Sequence, residues 1–234
     1  MRILSVMCHP DDMELKCGGT LIRYKKSGHD VISCNVANGN MGHFEIMPDK
    51  LREIRLKEAK NACSLAGIEY ISADINDLTV NSASETQLKE LIRIIRYASP
   101  DVIITHDPND YCSDHCEVSK LVFNASFSAS CPHFYPQLGK SAPLSCIYYA
   151  DTDSGINFIP TEYVDISECI EQKLEMMACH KSQLEWLNEH DGVDAVSEAR
   201  IRAAFWGHQC GVEYAEAFRP LLADGRMRAF RTLP

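Results

Sequence analysis

The sequence predicts an α/β fold in which a mostly parallel β-sheet is packed between helices. Three observations support this: short apolar runs alternate with amphipathic segments, the first run is apolar at nearly every position, and Gly or Pro residues separate the segments. A run that is apolar throughout is typical of a strand buried on both faces of a parallel sheet. We therefore expect helices on both sides of the sheet, joined by right-handed connections.

The first half of the chain supplies the clearest alternation. The apolar run at residues 3–8 ends near Pro10, which cannot continue a central strand. A helix is expected next, since apolar residues recur at helical spacing until basic residues precede Gly28. The same pattern predicts strands at 31–36, 70–71 and 101–105 and helices at 49–66, 85–97 and 116–125.

The second half of the chain predicts fewer elements. Strands are expected at 145–149 and 163–164, and helices at about 167–187 and 196–205. We therefore expect a single domain over residues 1–234, in which a C-terminal helical extension follows the sheet.

Composition and charge restrict the class of protein. Apolar residues make up 45% and charged residues 24% of the 234 residues, which is typical of a globular domain. The net charge of -10 argues against a broad surface for nucleic acid or for an anionic membrane. No apolar stretch approaches the roughly 20 residues of a membrane helix. The eleven cysteines, mostly single among apolar residues and without a signal-peptide pattern, predict a reducing, cytoplasmic location.

Ligand-type side chains are concentrated after two of the predicted strands. His9, Asp11 and Asp12 follow the first strand, and a second group, from His106 to His115, follows the strand at 101–105. In open α/β sheets, ligands bind beyond the carboxyl ends of the strands, where the strand order reverses. Because these two strands are expected to be neighbours at that point, both groups are expected to meet in one crevice.

The spacing within these groups indicates a metal site. His9 and Asp12 are three residues apart, so a helical turn beginning at Pro10 would place both side chains on one side. His115 is the best third ligand, because two imidazoles and one carboxylate suit one zinc ion per chain and leave a position for water. Such an ion lowers the pKa of its water to roughly 7. Asp11, which is expected to point elsewhere, could take the proton of that water.

Two other interpretations of the first group stay open. The sequence His-Pro-Asp-Asp also suits an ordinary turn in which an aspartate caps the following helix. A magnesium-binding phosphoacceptor signalling module would use Asp11 and Asp12 to hold the ion and Asp74 or Asp77 as the acceptor.

The second group also has an alternative interpretation. A structural zinc or interaction module would use Cys112, His115 and Cys116, and its fourth ligand is unassigned. A dinucleotide enzyme is disfavoured, because no Gly-x-Gly-x-x-Gly loop follows the first strand.

These motifs, in this order, resemble the LmbE-like, or PIG-L, family of zinc-dependent N-deacetylases along the length of the chain. The first motif is the strand followed by His9-Pro10-Asp11-Asp12, with Gly18-Gly19 in the next helix. The second is the strand at 102–105, followed by His106 and by Asp114-His115. Further similar segments are Asn38 to Gly42, Arg55-Leu-Lys-Glu58, His180-Lys-Ser-Gln183 and Tyr214 to Arg219.

The resemblance implies a hydrolase that removes an acetyl or other acyl group from the amide of an amino sugar or a related small molecule. It also implies a Rossmann-like three-layer sandwich and, often, trimeric or hexameric assembly. Its implied site residues agree with the spacing argument: zinc ligands His9, Asp12 and His115, and the base Asp11. Arg55 or Arg52 is expected to contact substrate hydroxyls, although an exposed helix charge is the more common role of such a residue.

The chain departs from the family pattern at two positions. Many members carry a second histidine three residues before the last ligand, where it stabilises the oxyanion or protonates the leaving amine, and this chain has Cys112 there. A thiol is a weaker donor and can ionise near zinc. Asn40 stands where an acidic residue is usual. Tyr111 and Cys112 are predicted to contact substrate. Without the second histidine, Asp11 is expected both to take the proton of the water and to deliver it to the leaving amine; otherwise the activity is altered, slow or lost.

Overall fold

The computed structural model describes residues 1–234 and contains seven strands and seven α-helices. The strands are β1 (Arg2–Met7), β2 (Asp30–Ala37), β3 (Glu69–Ile75), β4 (Val102–His106), β5 (Cys146–Ala150), β6 (Glu162–Asp165) and β7 (Ala215–Pro220). The helices are α1 (Asp12–Lys26), α2 (Pro48–Leu65), α3 (Glu85–Ala98), α4 (Ser113–Ser130), α5 (Ile170–Met177), α6 (Lys181–Trp186) and α7 (Ala195–Cys210). None of these helices combines the length and the apolar content that crossing a bilayer requires.

All seven strands form one sheet in the order β3-β2-β1-β4-β5-β7-β6. The five strands from β3 to β5 in that order are parallel. β7 is antiparallel to both β5 and β6. The mostly parallel sheet is therefore confirmed, and so is the expectation that β1 and β4 are neighbours where the strand order reverses.

The core lies on both faces of the sheet, as the apolar runs predict. On one face, α1, α5 and α7 contribute buried side chains such as Leu21, Leu174 and Ala203. On the other face, α3 and α4 contribute side chains such as Leu91 and Leu121. Every residue of β1 after the first is buried, because β1 is covered by helices on both sides. The result is a three-layer sandwich.

The predicted single helix at 167–187 is wrong, since α5 and α6 are separate and a π-helical turn follows at 187–191. The break lies at residues 178–180, where the chain contains neither Gly nor Pro. Tertiary contacts hold it instead. The fully buried His180 lies 3.3 Å from the Glu14 carboxylate of α1, and the Glu58 carboxylate of α2 accepts hydrogen bonds from the Ser182 N–H at 2.9 Å and the Ser182 hydroxyl at 2.6 Å.

The strand β7 was not expected from the sequence, and it joins the C-terminal region to the sheet. Its Glu216 is 3% exposed and accepts hydrogen bonds from the N–H groups of Gly19 and Thr20 at 2.9 and 2.7 Å. Lys173 of α5 donates to the same carboxylate at 2.6 Å. A side chain at Gly19 would come within 2.7 Å of Ile166, so the glycine permits this close packing.

Candidate metal centre and active site

The crevice between β1 and β4 brings together the two predicted groups of ligand-type residues. His9 lies in the turn between β1 and α1, and Asp12 is the first residue of α1. His115 lies in the first turn of α4, after the loop that follows β4. The parallel pairing of β1 with β4 places both turns at the same edge of the sheet.

His9, Asp12 and His115 form a compact triad. Nδ1 of His9 lies 3.5 Å from Oδ2 of Asp12, Nε2 of His115 lies 3.3 Å from the same oxygen, and the two imidazole nitrogens lie 3.3 Å apart. Donor atoms about 2.0–2.2 Å from a tetrahedral ion lie roughly 3.3–3.6 Å apart. The triad therefore has the donor types and the spacing that a divalent ion with an open coordination position requires.

Each histidine of the triad also faces a carboxylate with its other nitrogen. Nε2 of His9 lies 3.5 Å from Asp114, and Nδ1 of His115 lies 3.1 Å from Asp110. Such carboxylates fix the orientation and the tautomer of a metal-binding imidazole. Burial acts to lower the pKa of His115, but the Asp12 and Asp110 carboxylates outweigh it and raise that pKa well above its ordinary value.

His106 lies beside the triad but has a different environment. Its ring stacks on that of His115 with 3.9 Å between the ring centroids, and its Nε2 accepts a hydrogen bond from the Cys8 N–H at 2.8 Å. Burial lowers the pKa of His106 to about 4, so the ring is neutral. Its side chain is fully buried, and its Nε2 lies 3.3 Å from Oδ2 of Asp12.

Asp11 lies between two residues of the triad in sequence and has a left-handed backbone, with φ of 110°. Aspartate is one of the few non-glycine residues that adopt positive φ with some frequency. Its carboxylate accepts a hydrogen bond from Nη2 of Arg55 at 3.2 Å. Burial raises the pKa of Asp11 to about 6, although the Arg55 guanidinium opposes this rise.

Arg55 lines the cleft that contains the triad, whereas Arg52, the other arginine predicted to contact substrate, does not. Arg55 is 2% exposed and donates to the carbonyl oxygens of Gly39 and Pro10 as well as to Asp11. The alternative that Arg55 is an exposed helix charge is therefore excluded, and its contact with substrate stays a prediction. Arg52 lies on the surface and pairs with Asp74.

The triad opens into a cleft of about 480 Å³. Cys112 lines this cleft, whereas Tyr111 is 91% exposed and is not part of the lining. Burial acts to raise the pKa of the Cys112 thiol, but the adjacent His115 lowers it below its ordinary value. The other lining residues include Leu15, Met41, Gly42, Leu78, Asp153, Met177, Gln183, Leu187, Glu198 and Arg202.

Asn40, one of the two departures from the family pattern, has a structural explanation. Its side-chain oxygen accepts from the Asp77 N–H at 3.1 Å, and its amide donates to Asn76 at 3.2 Å. A carboxylate cannot donate the second bond. Asp77 in turn accepts from the N–H groups of Gly39 at 2.7 Å and Met41 at 3.0 Å, so the two loops are fastened together beside the cleft.

Lys16 is a site residue that the sequence did not reveal. Its fully buried ammonium group donates to Asp110 at 3.3 Å, to Asp153 at 2.8 Å and to the Asp151 carbonyl at 3.0 Å. It therefore links Asp110, which contacts His115, to Asp153, which lines the cleft. The available signal was a lysine four residues after Asp12, on the same face of α1.

The groups required by the alternative interpretations are engaged in other contacts, although Asp77 lines the same cleft as Asp11 and Asp12. Asp77 is 5% exposed and is occupied by backbone N–H groups, and Asp74 pairs with Arg52. The Cys116 thiol donates to the Asp110 carbonyl at 3.1 Å. No close group of three metal-ligating side chains includes Cys112 or Cys116.

Comparison with known proteins shows similarity to deacetylases over much of the chain. Diacetylchitobiose deacetylase from Thermococcus kodakarensis is 28% identical over 230 residues, which span 93% of this chain and 82% of that protein. The 1D-myo-inositol 2-acetamido-2-deoxy-alpha-D-glucopyranoside deacetylase from Rhodococcus erythropolis is 26% identical over 181 residues, which span 65% of this chain and 61% of that protein.

Solved structures show the same fold. The N,N'-diacetylchitobiose deacetylase from Pyrococcus horikoshii, in complex with an inhibitor, superposes with a TM-score of 0.79 and 26% identity, covering 94% of this chain and 83% of that one. The 4-carboxy-2-hydroxymuconate hydratase GalB from Pseudomonas putida superposes with a TM-score of 0.81 at 20% identity, covering all of both chains. The fold alone therefore does not determine the reaction.

A family model provides the assignment. The model for PIG-L, described as GlcNAc-PI de-N-acetylase, matches residues 4–126, which contain the whole triad, Asp11 and Arg55. The match covers more than half of the chain and agrees with the resemblance expected from the His-Pro-Asp-Asp motif. This chain belongs to the PIG-L family of de-N-acetylases.

Proposed function

We propose that this protein is a zinc-dependent N-deacetylase that hydrolyses the acetamido group of an amino sugar or a related small molecule. The observation that carries the proposal is the triad of His9, Asp12 and His115, whose three donor atoms lie 3.3–3.5 Å apart at the cleft. Family membership supports it, and so do the activities of the relatives, which are deacetylases of acetamido sugars.

Zinc is the proposed ion, with one bound per chain. Two imidazole nitrogens and one carboxylate oxygen suit zinc, and three protein ligands leave a position for water or substrate. A bound ion of this kind supplies Lewis acidity, which polarises the acetyl carbonyl and acidifies a water molecule. The carboxylates of Asp110 and Asp114 orient the two imidazoles for this role.

Asp11 is the proposed general base. Its carboxylate is buried, is held by Arg55 and has its pKa raised to about 6, near the range in which a base works at neutral pH. It takes a proton from the attacking water as the new C–O bond forms at the acetyl carbon. It then delivers the proton to the amide nitrogen as the C–N bond breaks, so that acetate and a free amine leave.

Cys112 has a limited role in this proposal. It lies in the cleft where many family members have a second histidine, and a thiol is a weak hydrogen-bond donor. We therefore assign both proton transfers to Asp11. The predictions of a single domain, a cytoplasmic location and a trimeric or hexameric assembly stay predictions.

The decisive experiment measures acetate release by the zinc-loaded protein. N-acetylglucosamine, its methyl glycoside and N,N'-diacetylchitobiose are suitable first substrates, because they share an acetamido group next to a hydroxyl. We expect acetate release that a chelator abolishes and that added zinc restores. A protein that binds zinc through His9 and His115 but releases no acetate from any N-acetylated sugar would contradict the proposal.

A further inference from the structure

Leu78 combines two unfavourable properties at the cleft. Its side chain is 78% exposed although it lines the cleft. Its backbone is left-handed, with φ of 64°, a conformation that costs energy for a branched residue and almost none for glycine. Backbone strain of this kind persists only where the surroundings impose it, and it is concentrated at functional sites.

The surroundings that hold Leu78 belong to the metal centre. The Leu78 N–H donates to Asp114 at 2.7 Å, and the same Asp114 oxygen lies 3.5 Å from Nε2 of His9. The preceding residue, Asp77, accepts from the N–H of Met41 at 3.0 Å. Met41 is 51% exposed and also lines the cleft. Hydrogen bonds of the backbone thus hold Leu78 and Met41 in place, and the bond from Leu78 ends on the carboxylate that faces His9, a proposed metal ligand.

The cleft is therefore polar at the triad and apolar at Leu78 and Met41. Exposed apolar surface inside a cleft gains free energy when a ligand removes it from water. Hydroxyl groups of a sugar gain little there, because leucine has no hydrogen-bonding group and the methionine thioether is only a weak acceptor. The part of a ligand that fits this surface is an alkyl or aryl group.

We propose that Leu78 and Met41 form a subsite for an apolar substituent carried by the amino-sugar substrate, such as an aryl or alkyl aglycone. The inference rests on the proposed function, because deacetylation places the acetamido group at the triad. The occupant is part of the substrate rather than a separate partner, because this apolar surface is continuous with the cleft that contains the triad.

The test compares methyl and phenyl 2-acetamido-2-deoxy-β-D-glucopyranoside as substrates. Covering these two side chains with a phenyl group is expected to raise kcat/KM about tenfold over the methyl glycoside, mainly through KM. Leu78→Gly removes this preference while Tm stays equal or rises, because glycine adopts the left-handed backbone without strain.

Met41→Ala is expected to weaken the preference for the phenyl glycoside. Ile159→Ala is the matched control, since Ile159 is 79% exposed and does not line the cleft.

Equal kcat/KM for both glycosides in the unmodified protein overturns the inference, as does a phenyl preference that survives Leu78→Gly. An oligomer that dissociates on Leu78→Gly also overturns it, since a second copy would then cover this surface. If neither glycoside releases acetate, the proposed function has failed, and calorimetric titration of the zinc-loaded protein with both glycosides decides the subsite separately. Tighter binding of the phenyl glycoside that depends on Leu78 supports it, and equal binding contradicts it.

Discussion

His115 and Asp110 are joined by a buried contact of 3.1 Å between Nδ1 of the imidazole and a carboxylate oxygen. The same Asp110 oxygen accepts a hydrogen bond from Lys16 at 3.3 Å, so a fixed positive charge supports the ionised carboxylate. A proton on Nδ1 leaves Nε2 as the free donor atom toward Asp12 and His9. The contact thus determines which imidazole nitrogen is available to an ion.

Replacing Asp110 tests this orientation. We expect Asp110→Asn to lower zinc affinity about 10–100-fold, because a neutral amide holds the imidazole N–H less firmly than a carboxylate does. Competition with a chromophoric chelator measures the affinity. Asp107→Asn is the control, since Asp107 lies in the same loop, is 2% exposed and binds Arg219 instead of a triad histidine. Equal losses in both variants would assign the effect to the loop.

Replacing Asp11 separates catalysis from metal binding. Asp11→Asn keeps the shape of the side chain, and asparagine tolerates the left-handed backbone at this position. We expect kcat to fall at least about 10²–10⁴-fold, the usual contribution of a general base, while the zinc content stays at one ion per chain. Metal analysis and acetate release on the same sample provide the two measurements. Full activity in this variant would exclude Asp11 as the base.

The sheet and the triad could be predicted because their signals are local. A run of apolar residues indicates a buried strand, and ligand-type residues directly after two such strands must meet if the strands are neighbours. His9, Asp12 and His115 all follow from this argument. The three side chains come together because β1 pairs with β4. This pairing follows from the topology of the sheet and does not depend on contacts with side chains elsewhere in the chain.

The C-terminal half could not be predicted equally well, because long-range contacts determine it. The break between α5 and α6 at His180 depends on Glu14, which lies 166 residues earlier in the chain. No Gly or Pro at this point of the sequence indicates that the helix ends. The strand β7 was not predicted because it contains Glu216. A charged residue in a short segment argues against a buried strand, and the sequence does not show that Lys173 pairs with it. Lys16 was missed for the same reason: its partners lie in other segments.

Lys16 is expected to contribute strongly to stability. Lys16→Met leaves Asp110 buried without its permanent cation, and removing one partner of a buried ion pair costs about 3–5 kcal/mol. Chemical denaturation of the metal-free protein measures the change. Lys50→Met is the control, because the Lys50–Glu53 pair is exposed and such pairs contribute little. Similar stability in both variants would show that Lys16 does not support Asp110.

Metal affinity is expected to increase with pH. Burial acts to lower the pKa of His9 and His115. It is outweighed at His9 by Cys8 and by the Asp114 and Asp12 carboxylates, and at His115 by the Asp12 and Asp110 carboxylates, so both pKa values are raised well above the ordinary value in the metal-free protein. Near neutral pH these rings therefore hold protons that an ion must displace, and each displaced proton changes the apparent affinity up to about tenfold per pH unit. Calorimetry in buffers of different ionisation enthalpy counts the protons released. Affinity that is independent of pH between 6 and 8 would contradict the raised pKa values.

Replacing Cys112 tests whether the thiol limits the reaction. Cys112 directly precedes α4 and lines the cleft three residues before His115, at the position where the family pattern described above has a histidine. We expect Cys112→His to raise kcat, because an imidazole donates a stronger hydrogen bond to a developing oxyanion than a thiol does, and protonates a leaving amine more readily. Cys116→Ser is the control, since its thiol faces the Asp110 carbonyl outside the cleft lining. If kcat falls in Cys112→His while zinc affinity stays unchanged, the thiol itself takes part in the reaction, and Asp11 cannot account for both proton transfers.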